Sequence, residues 1–176
     1  MSIRSSLAVI LICGFAALSL AQAPSERPKP GPEHKKLEAF LGKWKVESEI
    51  KPNAYVPAGN GVTTEHYTLG TGGFWVERRA EGQIPETFGI MAYDSYAKGY
   101  VSYYASNVGL VGTGTGSVNG NTWTWIVDDR MAGKTVKGRT TVTFLSASRC
   151  TLKYEMLDAN GHYITILEGT ATKVAP

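Results

Sequence analysis

The chain has 176 residues, of which 43% are hydrophobic and 19% charged, with a formal net charge of +3. That composition suits one domain with a substantial core and excludes a disordered or fibrous chain. The near balance of charge argues against nucleic acid as a partner, because phosphate neutralisation needs clustered cations.

Met1 to Ser6 carry one positive charge, Arg4, and Leu7 to Leu20 form a mostly apolar run with small residues at Ser19, Ala21 and Ala23. This is the order of a secretory signal peptide, and the run is shorter than the roughly 20 residues that a spanning helix needs. Pro24 hinders cleavage after Ala23, so the expected cut falls after Ala21, leaving residues 1–21 as signal and a secreted or periplasmic protein with no transmembrane segment. Cys13 leaves with that segment, and Cys150 is then a single thiol in an alternating strand, read as buried and inert.

Residues 22–32 hold four prolines and read as a linker to a folded domain over 33–176. Glu33 to Leu41 carries Leu37, Phe40 and Leu41 at helical spacing, with Gly42 at its end. So short a helix needs an apolar surface to dock on, and a barrel mouth provides one. From Trp44 the period changes to two. Strands are expected at about 44–50, 62–69, 73–81, 87–93, 99–106, 110–118, 121–127, 135–146, 148–157 and 162–173. Asn119-Gly120 and Asn160-Gly161 mark tight hairpins, and 94–99 and 128–133 read as longer polar connections. With no second helix of useful length, parallel βαβ architecture is excluded. The expected class is all-β: a closed antiparallel up-and-down barrel of about ten strands with a short N-terminal helix, a two-sheet sandwich being the competing arrangement.

The short helix, Gly42-x-Trp44 and the succession of hairpins resemble the lipocalin and fatty-acid-binding superfamily of calycin barrels. The resemblance implies that Trp44 packs across the closed end, with Lys173 on the last strand lying against it. Four stretches carry a closer resemblance: Pro32-Glu33-His34-x-x-Leu37, Phe40-Leu41-Gly42-x-Trp44, Leu69-Gly70-x-Gly72-Gly73-Phe74 and Phe88-Gly89-x-x-x-Tyr93-Asp94-x-x-x-Lys98-x-Tyr100. They are similar to an uncharacterised family of secreted bacterial proteins, a domain of unknown function whose members look like lipocalin-type barrels. That family implies a fold and no catalytic residues.

The chain has three histidines and no Gly-x-Ser-x-Gly elbow. His34 is expected to be exposed among charges, His66 lies beside Glu65 and His162 follows a turn. No pair has zinc-motif spacing, so a metal or catalytic site requires His66 and His162 to meet across the barrel. Haem held by His162 is a variant of that idea, but the chain lacks the Gly-x-Trp-x-Gly-x-Gly extension of haem-holding barrels. No cofactor is therefore assigned. Gly112, Gly114 and Gly116 share one strand face, where missing side chains leave room inside or permit a bend. The ligand argument rests on aromatic residues. A barrel of this size fills with side chains or encloses one small ligand. Phe74 and Val76 share a face with Arg78, and Tyr104, Trp125 and Tyr154 lie on other strands. These six residues are the candidate ligand-binding set, with Arg78 as the polar anchor, since a buried charge needs a counterion or an anionic head group. If the other face of that strand points inward, Arg79 and Glu77 take the role. The leading function is non-catalytic binding of a small apolar or amphipathic molecule. A protein-interaction or envelope scaffold is the alternative, and an enzyme or haem/metal site using His66 or His162 is the third reading.

Overall fold

Apolar residues at every second position leave each strand with one face for a core and one for water. In the computed structural model those faces close into a barrel. It describes residues 28–174 except 55, 56, 84 and 132. The expected signal segment 1–21 and residues 22–27 of the expected linker lie outside the described residues. Helix α1 (Pro32–Lys36) runs into a 3₁₀ turn (Leu37–Phe40), so the expected helical stretch is a single α-turn tightened at its end.

Ten strands follow: β1 (Gly42–Ile50), β2 (Gly59–Leu69), β3 (Trp75–Gly82), β4 (Thr87–Asp94) and β5 (Gly99–Ser106), then β6 (Val111–Asn119), β7 (Thr122–Met131), β8 (Lys134–Ser146), β9 (Arg149–Leu157) and β10 (Tyr163–Val174). Each pairs antiparallel with its sequence neighbours, and β1 pairs with β10 to close the barrel. Closure leaves no sheet edge unpaired. The sandwich arrangement is thereby excluded.

Three local expectations are corrected. Residues 128–131 extend β7 instead of forming a polar connection, because Asp129 continues the inward series Trp123, Trp125, Val127. The β6–β7 turn is tight, but Asn119 pairs with Thr122, so the two-residue turn is Gly120-Asn121 with Gly120 at φ 59°. Asn160-Gly161 sits in a five-residue connection, 158–162, in which Asp158 Oδ1 accepts from the backbone N–H groups of Asn160 and His162.

The helical segment covers the mouth at which β1 begins. Leu37 and Phe40 are buried against Val76, Tyr100 and Trp123, and the Tyr100 hydroxyl donates to Glu33. Phe40 is ringed by Trp123 at 5.2 Å, Phe144 at 5.2 Å and Tyr67 at 5.7 Å between ring centroids. Trp123 and Trp125 stack nearly parallel at 6.0 Å. His34, expected to be exposed, is buried: its Nδ1 accepts the Gly31 N–H, and its ring meets the edges of Phe74 and Tyr93. The turn of helix rotates it towards the barrel, a direction that flanking charges in the sequence do not reveal.

Trp44 is 2% exposed, and its indole N–H donates to the Phe40 carbonyl at 2.7 Å. Lys173, its partner across the β1–β10 seam, places Nζ 4.9 Å from the ring centroid. Trp44→Ala removes a buried ring and leaves a cavity, with an expected cost of about 3–5 kcal/mol. Lys173→Ala removes one cation–π contact and costs about 0.5–1 kcal/mol. Urea unfolding of the two variants tests this ordering.

Candidate functional site

Below the aromatic layer the barrel is not filled. A cavity of about 410 Å³ extends from Phe40 and Trp44 to Thr87, the first residue of β4, and Met131, the last of β7. Both of those residues stand at the mouth away from the helix. The wall is mainly apolar, with Val46, Met91, Val127, Val142 and Leu152 among its residues. Glu65, Tyr67, Arg78, Tyr104, Asp129 and Tyr154 are among the polar side chains that line it.

Strand register explains how these groups meet. Tyr67 pairs with Arg78, Arg78 with Gly89, Gly89 with Tyr104, Tyr104 with Gly112 and Gly112 with Asp129. Paired residues share a face, so six adjacent strands contribute one inward row in which, from Arg78 onward, large polar side chains alternate with glycine. The glycines are required by close approach. A Cβ on Gly112 would overlap the Tyr104 ring and sit 2.6 Å from Asp129 Oδ1. Gly116 lies under the Trp125 ring and Gly138 under Tyr154 in the same way. The glycines of β6 thus face inward; rings occupy the room left by Gly112 and Gly116, and Ser102 and Val127 the room left by Gly114.

Two hydrogen-bonded groups make up the row. In the first, Arg78 is ion-paired to Glu65 Oε1, and the Tyr67 hydroxyl donates to Glu65 Oε2. Burial opposes the Glu65 charge, but Arg78 and Tyr67 outweigh it and hold the carboxyl below its ordinary value. Burial also opposes the Arg78 charge, and Glu65 and Tyr67 reverse that effect, raising its pKa. In the second group Asp129, 3% exposed, accepts the Tyr104 hydroxyl at 2.8 Å on Oδ1 and the Tyr154 hydroxyl on Oδ2. Burial pushes the Asp129 carboxyl up against the lowering effect of the two tyrosines. Burial and the Asp129 charge likewise raise the Tyr104 phenol.

Of the six candidate residues, Arg78, Tyr104, Trp125 and Tyr154 line the cavity. Phe74 and Val76 do not. Phe74 lies in the β2–β3 connection and packs on His34, while Val76, 0% exposed, belongs to the aromatic layer beneath the helix. Sharing a face with Arg78 places Val76 inside the barrel but nearer its covered end. Glu77 and Arg79 occupy the opposite face of β3, and Arg79 lies over the Phe88 ring. Cys150 lines the cavity with its thiol pushed up to about 11, mainly by burial, which keeps it protonated.

Neither histidine of the metal and enzyme reading enters the cavity. His66 is exposed on β2, level with Lys43 at the covered end, and His162 is exposed beside Asp158 at the opposite end. The 12-residue β10 separates the two levels. They share no site, and His162 offers no haem ligand to the cavity. Among the described residues no group of three His, Cys, Asp or Glu is arranged to hold a metal ion, and no helix is long and apolar enough to cross a membrane.

Asp129, Glu65 and Tyr67 were absent from the candidate set. For Asp129 the signal was present, since it follows Trp123, Trp125 and Val127 at period two. Reading Asp128-Asp129 as the start of a turn concealed it.

Arg78→Met leaves Glu65 without its cation and is expected to cost about 2–4 kcal/mol. This is less than for a fully enclosed pair, because the two side chains remain 24% and 14% exposed to the cavity. Replacing Glu65 by Leu in the same chain should restore most of the loss. Glu65 supplies stability in full above its ordinary value of 4.5, and that contribution is lost as pH falls through its lowered folded value. Glu65→Gln therefore removes this part of the acid dependence, which urea midpoints measured across about pH 3–7 will show.

No curated protein matches the chain. Among solved structures it is similar to that of Rv2717c from M. tuberculosis, with TM-score 0.61 and 12% identity over 82% of this chain and 99% of that one. It is also similar to a redesigned β-barrel, b11L5F_LGL, with TM-score 0.42 and 14% identity over 79% and 95% of the two chains. At these identities the first likeness supports the barrel fold alone. A family model described as "Protein of unknown function (DUF1579)" matches residues 29–173. That match spans the helix and all ten strands nearly to their end, and the chain belongs to the DUF1579 family.

Proposed function

We propose that the protein binds a small apolar or amphipathic molecule inside the barrel, without catalysing a reaction on it. The observation that carries this reading is the cavity of about 410 Å³, with an apolar wall interrupted by a few convergent polar groups. Small-molecule sites have that size and composition. Arg78, Tyr104, Trp125 and Tyr154 are the ligand-binding residues in this reading. Arg78 acts by holding Glu65 and the polar row in place, because its charge is already balanced. Native mass spectrometry of protein purified from its source compartment tests the proposal, with a co-purifying molecule of a few hundred daltons expected. The neutral fluorophore N-phenylnaphthylamine should bind as well. Apo mass together with an absence of fluorophore binding overturns the reading.

The outer surface favours a second reading, association with another protein. Phe88, Ile90, Val101 and Tyr103 are 38%, 37%, 38% and 42% exposed, and Ile90 pairs directly with Tyr103. Light scattering across a range of protein concentrations distinguishes it: a mass that rises with concentration supports the second reading, and a constant monomer mass counts against self-association.

Export is part of the proposal. Its support is the charge, apolar run and small residues of segment 1–21. Expression of the full chain in a bacterium is expected to yield an extracytoplasmic protein beginning at Gln22. An intact mass that retains residues 1–21 would overturn this.

A further inference from the structure

We infer that Asp129 is the head-group receptor of the cavity and that the ligand it selects is an amphiphile bearing an ammonium or other cationic nitrogen. This rests on the ligand-binding reading above and assigns the chemistry that reading leaves open.

Charge inside the barrel is unevenly compensated. Glu65 and Arg78 neutralise one another, so Arg78 has no free charge to offer an anionic head group. Asp129, at 3% exposed, is within the range of the core residues, yet among the described residues no cation lies within 4.0 Å of it. Its two recorded partners are phenol hydroxyls, one on each oxygen. A carboxylate has about four acceptor positions, so two hydroxyls leave roughly half of them open. Burying a carboxylate without a counter-charge is costly, and an incoming cation removes that cost.

The surroundings suit a cation on an apolar body. Tyr104 and Tyr154 flank the carboxylate, with Trp125 also in the wall, and aromatic faces attract alkylammonium groups through their quadrupole. Val127, which precedes Asp129 on the inward face of β7, begins the apolar wall that continues through Met91, Val142 and Leu152. The groups that act on Asp129 are few: Tyr104 from β5, Tyr154 from β9 and its outward neighbour Asp128 on β7. Gly112 of β6 and Val136 of β8, its direct partners in register, carry no charge. An anionic head group would meet the Asp129 charge and an Arg78 whose own charge Glu65 balances.

Three probes with one tail separate the possibilities: decylamine, decanol and decanoate, each competing against N-phenylnaphthylamine in the full folded protein. Decylamine is expected to bind at least about tenfold more tightly than decanoate, in line with one charge-assisted contact. In Asp129→Asn the amine should lose about tenfold in affinity while decanol changes by less than about threefold. The unmodified protein gives a second readout, needed if the variant does not fold. Amine affinity should fall as pH drops through the Asp129 titration, while decanol affinity stays level. Failure of N-phenylnaphthylamine to bind, together with an apo mass in native mass spectrometry, overturns the ligand-binding reading itself. Fluorophore binding with equal competition by all three tails, or with preference for decanoate, leaves that reading standing and overturns the head-group assignment.

Discussion

Everything inside this barrel depends on the seam between β1 and β10. Until these strands pair, the sheet has two exposed edges and no interior; once they pair, every inward residue acquires neighbours from several strands. The seam is held by backbone pairing from Lys43–Val174 to Ile50–Leu167 and reinforced by Trp44, which is bonded to the Phe40 carbonyl below Lys173. Because Phe40 belongs to the helical cover, one indole ties the seam to the lid. Closing the sheet and closing the mouth are therefore one structural event.

The interior has two zones, and the difference is physical. Towards the helix, Phe40, Tyr100, Trp123 and Phe144 meet edge to face and leave no room. Farther down, the inward row alternates large polar groups with glycine, so side chains lie along the wall instead of crossing the barrel. Each ring covers a neighbouring glycine, and the axis of the barrel stays open. The cavity thus results from where the rings lie as much as from how many there are.

Electrostatically the two polar groups in the row are unlike. Glu65 is held charged by Arg78 and Tyr67 against burial, and this pair serves as a neutral brace. Among the described residues Asp129 has hydroxyl donors only, and burial raises its pKa. A cavity with one braced pair and one acid that lacks a cation has a polarity, and the proposed head-group preference follows from it.

Composition and periodicity alone determined the all-β class, nine of the ten strand positions to within a few residues and the helical cover. Local rules suffice there: alternation marks a strand wherever one face is wet, and glycine marks where the chain turns. The far half of β7 escaped those rules because two adjacent aspartates look like a turn, although only one of them points to water. Membership of the site was a matter for the closed sheet. Arg78 could be placed on a face with Val76 from sequence, but its partner Glu65 lies 13 positions away on another strand. Asp129 finds Tyr104 and Tyr154, each 25 positions distant, only through register and closure. His66 and His162 show the converse, since residue type suggested a shared site and the length of β10 keeps them at opposite ends. Sequence periodicity says which residues share a face; only the closed barrel decides which face points inward and which residues touch, because shear and register carry no local signature.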